Sequence, residues 1–287
     1  MDPSSLPRPV GFVLGGGGSL GAIQVGMLRA LAEQHVVPDL VIGASVGSLN
    51  GAALARDPGR AVDVLPAVWA SMTRERVFPG GLIGEAITLE RTHDHLFPNS
   101  GLAEVITEHL GATTMFRDLA VPFAAVTLDV ATSTAHVIDR GLLRPALLAT
   151  AAIPGIFPPV EHDGRLLYDG GVVANVPLRE AIARGARSLV VLDCSFPGHV
   201  PPVPETLAEI VFFTVLTVMR GQAVLEAPLV AEHVPVVYLP GPAVQQISPL
   251  DFDHTDLLVA NAYDAPTSFL DGTRVDGPGL YGSPAGP

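Results

Sequence analysis

Lysine does not occur among the 287 residues, so the 16 basic side chains are all arginine, set against 29 acidic ones. The net charge of −13 comes with no polybasic run to neutralise phosphates, which argues against nucleic acid as a partner. The same acidity works against adhesion to anionic lipid by charge and leaves burial of apolar surface as the route to a membrane. Cysteine occurs once, at Cys194. No internal disulfide can form, and the residue reads as a small core side chain in a reducing, cytoplasmic setting. Met1 to Pro9 holds an acid, an arginine and several prolines rather than a basic start and an apolar stretch, so no secretion signal is expected. The longest apolar stretch, Ile210 to Met219, lies between Glu209 and Arg220. It is about half the ~20 residues that cross a bilayer, and no transmembrane helix is expected. The histidines are scattered, and His93 and His95 flank Asp94 without a third ligand nearby in sequence. No metal site and no cofactor are expected.

What the chain does hold is apolar: 48% of its residues are hydrophobic, enough for one large core. β-Branched runs alternate with segments of helical period. Strands are predicted at Val10–Leu14 and Leu40–Gly43, with helices over Leu20–Glu33 and Val46–Ala55, the pattern of a parallel sheet faced by helices. Residues 59–111 read as a helical cap or insert, punctuated by turns at Pro79-Gly80-Gly81 and Pro98-Asn99-Ser100-Gly101. Further strands are predicted at Phe123–Leu128, Ala135–Ile138, Arg165–Leu167, Leu189–Leu192 and Val236–Leu239, and helices at Leu142–Ala151, Leu178–Arg184 and Thr206–Gly221. The expectation is an α/β fold with a mixed, mostly parallel sheet of about six strands. A single domain covers residues 8–264, followed by a flexible tail rich in Gly and Pro over 265–287.

Two glycine motifs carry the chemistry. Gly15-Gly16-Gly17-Gly18-Ser19-Leu20-Gly21 stands between the first strand and the first helix, where backbone N–H groups and the helix dipole favour an anion. Gly16, Gly18 and Gly21 also fit G-x-G-x-x-G, so a dinucleotide site stands beside an oxyanion hole; Asp39 has the right separation but opens the second strand instead of closing it. Gly43-Ala44-Ser45-Val46-Gly47 is G-x-S-x-G where a strand passes straight into a helix, the setting of a nucleophile elbow. Alternatively Ser45 is an ordinary helix N-cap. Asp169-Gly170-Gly171 by itself reads as a β-turn.

Taken together and in this order, the glycine loop, the Ser45 elbow and Asp169-Gly170-Gly171 resemble the signature of patatin-like phospholipases. The segment from Ala149 to Val160 and Asn175-Val176-Pro177 also resemble that family, and the likeness extends from about Pro9 to Ala186. The resemblance implies a three-layer α/β/α fold and a Ser45–Asp169 dyad in place of a triad. Gly16, Gly17 and Gly18 would form the oxyanion hole, with Gly43, Gly47, Gly170 and Gly171 in support. Fatty acyl esters would be hydrolysed through an acyl-Ser45 intermediate without metal. Leu20 departs from the family, which commonly has Arg or Lys there, and shifts the expectation from phospholipids towards neutral acyl esters or lysolipids. Acyl transfer to an acceptor other than water uses the same covalent chemistry, and a catalytically silent lipid-binding module is a third reading. Expected partners are the lipid substrate and, peripherally, a membrane. The apolar helix beginning near Leu207 is a candidate lid over the acyl site or a buried core helix. A triad would instead draw its base from His199, His233 or His254.

Overall fold

Apolar residues alternate along the central strands and split between two cores, one on each face of a sheet. The structure, a computed structural model, describes residues 1–79, 94–194, 202–242 and 247–284. β1 (Val10–Leu14) passes through the glycine run into a 3₁₀ turn at Gly18–Ala22 and then α1 (Ile23–Glu33), and β2 (Leu40–Ala44) turns at Ser45 into α2 (Val46–Arg56). Next come α3 (Ala61–Ser71), α4 (Arg74–Val77) and α5 (Ser100–Leu110), the hairpin β3 (Phe123–Asp129) and β4 (Thr134–Ile138), and α6 (Leu143–Thr150). The hairpin β5 (Val160–His162) and β6 (Arg165–Asp169) leads into α7 (Gly171–Ala174) and α8 (Leu178–Ala183). β7 (Ser188–Leu192), α9 (Leu207–Ala231), β8 (Pro235–Tyr238), α10 (Thr255–Asn261), α11 (Asp264–Gly272) and β9 (Gly279–Tyr281) complete the order.

The strands form one sheet in the order β5-β6-β3-β2-β1-β7-β8-β9, with β4 also paired to β3. From β3 to β9 along that order all neighbours are parallel, whereas β4 and β6 run antiparallel to β3, and β5 antiparallel to β6. Phe12, Leu14, Val41 and Val190 face the core covered by α1, α2, α3, α5 and α6. Their neighbours Val13, Ile42, Ala44 and Val191 face the core covered by α7, α8 and α9. The period of two thus gives three layers.

Among the described residues the sheet has nine strands rather than about six. The two strands the sequence did not suggest, β5 and β9, are three residues each, too short to display an alternation. β9 also corrects the expectation of a frayed tail: α11 buries Leu270, and Pro235, Val236 and Val237 pair with residues 279–281. Gly282 closes against β8 so tightly that a Cβ there would lie 2.1 Å from the carbonyl oxygen of Tyr238. The turn residues Gly80 and Gly81, and His93 and His199, lie outside the described residues.

α9 is the second correction. Thr206 and Glu209 form a capping box at its start, and the helix runs past Gly221 and Pro228 to Ala231. The expected helix ends at Gly221, but a mid-helix glycine costs only about 1 kcal/mol. Burial of Ala223, Ala227 and Val230 on the sheet side offsets that. Residues Glu209–Ala231 are, by length and composition, long and apolar enough to cross a membrane. Ending the stretch at Met219 had halved it.

If residues 274–284 hold the sheet edge, truncating the chain after Thr273 lowers Tm by at least ~3 °C, since about 1 kcal/mol shifts a domain of this size by a few degrees. An unchanged melting curve would restore the flexible tail.

Candidate active site

β1 lies mid-sheet, with β2 and β3 on one side and β7 and β8 on the other. The order places β1 at a topological switch point, where an open α/β sheet has its crevice at the carboxyl ends of the strands. The glycine run fills it.

Ser45 sits at φ 54° and ψ −131°, a left-handed conformation that strains a residue with a Cβ by on the order of 1–3 kcal/mol. Close packing imposes it. A Cβ on Gly47 would lie 2.2 Å from the carbonyl oxygen of Leu14, and one on Gly43 would lie 2.6 Å from the carbonyl carbon of Gly47, so strand and helix meet nearly backbone to backbone. Thr150, at the end of α6, accepts a hydrogen bond from the Ser45 N–H at 3.0 Å and donates to the carbonyl of Val126, tying the elbow to β3.

Sheet register brings the carboxylate to the same level. Ala44 is level with Val126 across the parallel pair, and Thr127 faces Asp169 across the antiparallel one. Asp169 has no exposed surface. Its Oδ1 accepts the Gly171 N–H at 2.8 Å, while the equally buried Oδ2 has no aligned donor among the described residues. Burial raises the pKa, the neighbouring Ser45 hydroxyl and the Gly171 N–H lower it, and burial wins, at about 7.

The three glycines differ in what their N–H groups do. Gly16 donates to Asn175 Oδ1 at 3.0 Å. Gly17 and Gly18 donate to no described residue, and Gly18 holds φ 60°, which glycine adopts without strain. The loop is fixed from behind. Gln24 Nε2 donates to the carbonyls of Gly15 and Leu192, both at 2.9 Å; Asn50 donates to Gln24 Oε1 at 2.7 Å; Trp69 Nε1 donates to Asn50 Oδ1 at 3.1 Å. These polar residues were not singled out from sequence. Their only signal is a buried amide within an apolar helix, and that needs a partner whose position the sequence does not show.

Gly170 and Gly171 follow Asp169 at the start of α7, where a Cβ on Gly170 would lie 2.2 Å from the carbonyl oxygen of Val126. Leu20 is buried in the core. Asp39 binds Arg8 and the Val10 N–H at the opposite end of the strands, so the dinucleotide reading lacks its acid at the loop. Asp129 accepts the Ala131 N–H and pairs with Arg165. Asp193 is buried and accepts from the Tyr238 hydroxyl. His254 binds Asp251, His95 binds Asp94, and His233 is exposed just before β8, at the far end of the sheet. Cys194 is buried, donates to the Gly15 carbonyl, and has its thiol pKa pushed up by burial.

Sequence comparison finds relatives over most of the chain. A profile described as patatin-like phospholipase matches residues 12–182. The chain is 26% identical over 302 residues to Lysophospholipase NTE1 of Mycosarcoma maydis, covering 93% of this chain and 15% of that protein. It is 34% identical over 193 residues to the patatin-like phospholipase domain-containing protein ZK370.4 of Caenorhabditis elegans, covering 64% of this chain and 13% of that one. It therefore spans about one seventh of the length of these relatives. Among solved structures, VipD from Legionella pneumophila is similar with a TM-score of 0.49 at 15% identity, over 92% of this chain and 67% of the other.

The raised pKa of Asp169 has a stability consequence. An unfolded chain sheds this proton near pH 4 and the folded one near pH 7, so the native state loses stability as pH rises between the two. Three units correspond to at most about 4 kcal/mol. Asp169→Asn should raise Tm at pH 8, and the gain should vanish by pH 4. A lower Tm at pH 8 would contradict the assigned burial.

Proposed function

The chain belongs to the patatin-like phospholipase family, and from that premise we propose that it is a serine lipid acyl hydrolase working through Ser45 and Asp169. The carrying observation is the buried Asp169 Oδ2, without an aligned donor among the described residues, beside a serine held on a strained turn. A carboxylate in water is a weak base, whereas one titrating near 7 is matched to neutral pH. Asp169 takes the Ser45 proton as Oγ attacks the ester carbonyl. The oxyanion that forms receives the N–H groups of Gly17 and Gly18, while Gly16, bonded to Asn175, holds the loop in place. Collapse of the tetrahedral intermediate expels the alcohol with that proton and leaves acyl-Ser45. Water, deprotonated by the same carboxylate, then releases the fatty acid.

Neutral acyl esters and lysolipids fit best, because Leu20 brings no cation to the loop and the surface is acidic. α9 supports peripheral membrane contact from a cytoplasmic setting. It turns small residues to the sheet and leaves Ile210, Phe213, Val218, Leu225 and Leu229 exposed.

A fluorophosphonate should label Ser45, as read by intact mass, and Ser45→Ala should abolish the adduct. Asp169→Asn should lower kcat on the order of 10⁴-fold with the fold intact by circular dichroism, whereas His199→Gln, His233→Gln and His254→Gln each lose less than about tenfold. In the parent protein kcat/KM should rise with pH through about 7. A histidine variant as dead as Ser45→Ala, with Asp169→Asn active, would replace the dyad by a triad.

Leu225→Asp combined with Leu229→Asp should cut co-sedimentation with phosphatidylcholine vesicles at least ~10-fold, since each removes buried apolar area from the contact. Undiminished binding would assign α9 to the protein's own packing.

A further inference from the structure

Ser45 opens onto a cavity of only about 50 Å³, walled by side chains that include Leu49, Trp69, Met72, Phe78 and Phe252. At ~10–15 Å³ per water-sized group, that volume holds the reacting carbonyl and its first methylenes but not a long chain. Behind it lies a second cavity of about 330 Å³, and Leu49 and Met72 line both. Small-molecule sites begin at about that size.

The second cavity follows from three helical stripes. On α2, residues 46, 49, 50 and 53 recur at the i, i+3, i+4 spacing that keeps one face, and with Asp57 just past the helix end they carry the wall away from Ser45. α3 and α5 supply the opposing walls through Leu65, Val68, Val105 and Ile106. Helices this close normally interdigitate, but the residue of α2 at the middle of the groove is Ala53, which leaves the space unfilled. The chamber wall is mostly apolar. Its buried polar residue, Asn50, spends its amide on Gly21, Gln24 and Trp69, and the half-buried His109 ring is hydrogen-bonded to the Ser71 hydroxyl. The charged lining residues Arg56, Asp57 and Arg60 lie at the end of α2 away from Ser45.

We propose that the acyl chain of an ester bound at Ser45 passes between Leu49 and Met72 and lies along α2 in this chamber, which makes the helix a ruler for chain length. The inference rests on the acyl hydrolase reading and names its substrate class. Eleven residues of helix at about 1.5 Å each give a ruler of ~16 Å, room for roughly a dozen carbons at an advance of ~1.3 Å per bond. Met72 is the adaptable gate: an unbranched thioether swings aside at low cost. The alcohol side of the ester is left to the loops around the crevice.

The test compares kcat/KM for p-nitrophenyl dodecanoate and butanoate, both below their aggregation limits, in the parent protein, Ala53→Phe and Val68→Phe, with Tm confirming folding. Each phenylalanine plugs the chamber beyond the gate. The dodecanoate-to-butanoate ratio should fall at least ~30-fold in both, and dodecyl fluorophosphonate should lose its labelling advantage over ethyl fluorophosphonate by a similar factor. General damage lowers both rates and leaves the ratio alone. An unchanged ratio in both folded variants overturns the proposal, while absence of Ser45 labelling by either probe in the parent protein overturns the acyl hydrolase reading beneath it.

Discussion

Sealing the Asp169 carboxyl away from water is the condition on which the site depends. β6 delivers it antiparallel to β3, the Gly171 N–H takes one oxygen, and Gly170 packs on the backbone of Val126, leaving no room for solvent behind it. An exposed aspartate would be ionised and weakly basic. Here the cost of ionisation in a dry site raises the pKa to about 7, and the same cost is borne by the fold. The hairpin that carries Asp169 is thus as much a part of the chemistry as the residue.

A second cost falls on Ser45, whose backbone departs from the ordinary regions. Both costs are met by the parts of the molecule with no chemical role. The sheet is apolar on both faces, its inner strands have no exposed residue over β1, β2 and β7, and two cores flank it. A chain that stores strain and a buried carboxyl at one point is locally inconsistent there and consistent elsewhere, as functional sites are expected to be.

Amides of ordinary appearance hold the loop in register. The chain of hydrogen bonds from Trp69 through Asn50 and Gln24 to the Gly15 carbonyl couples α3, α2 and α1 to the glycine run. Since Trp69 and Asn50 also wall the two cavities, the packing of the helical cap and the position of the oxyanion loop are mechanically linked. α9 stands apart from this network, apolar on the outside as well as the inside.

Local features are legible in the sequence: strands β1, β2 and β7 within a residue of their ends, the elbow at Ser45, the glycine loop and the alternation of strands and helices that makes three layers. These are legible because period, glycine and turn chemistry act over a few residues. Asp169 was legible only beside the other two motifs, since an acid before two glycines is also a turn. Tertiary structure alone decided that Gly16 is bonded to Asn175 while Gly17 and Gly18 are not, that α9 continues past Gly221, and that residues 279–281 add a ninth strand. Each of these turns on a partner distant in the chain, 159 residues away for the Gly16 bond, and no local propensity encodes the free energy of meeting it.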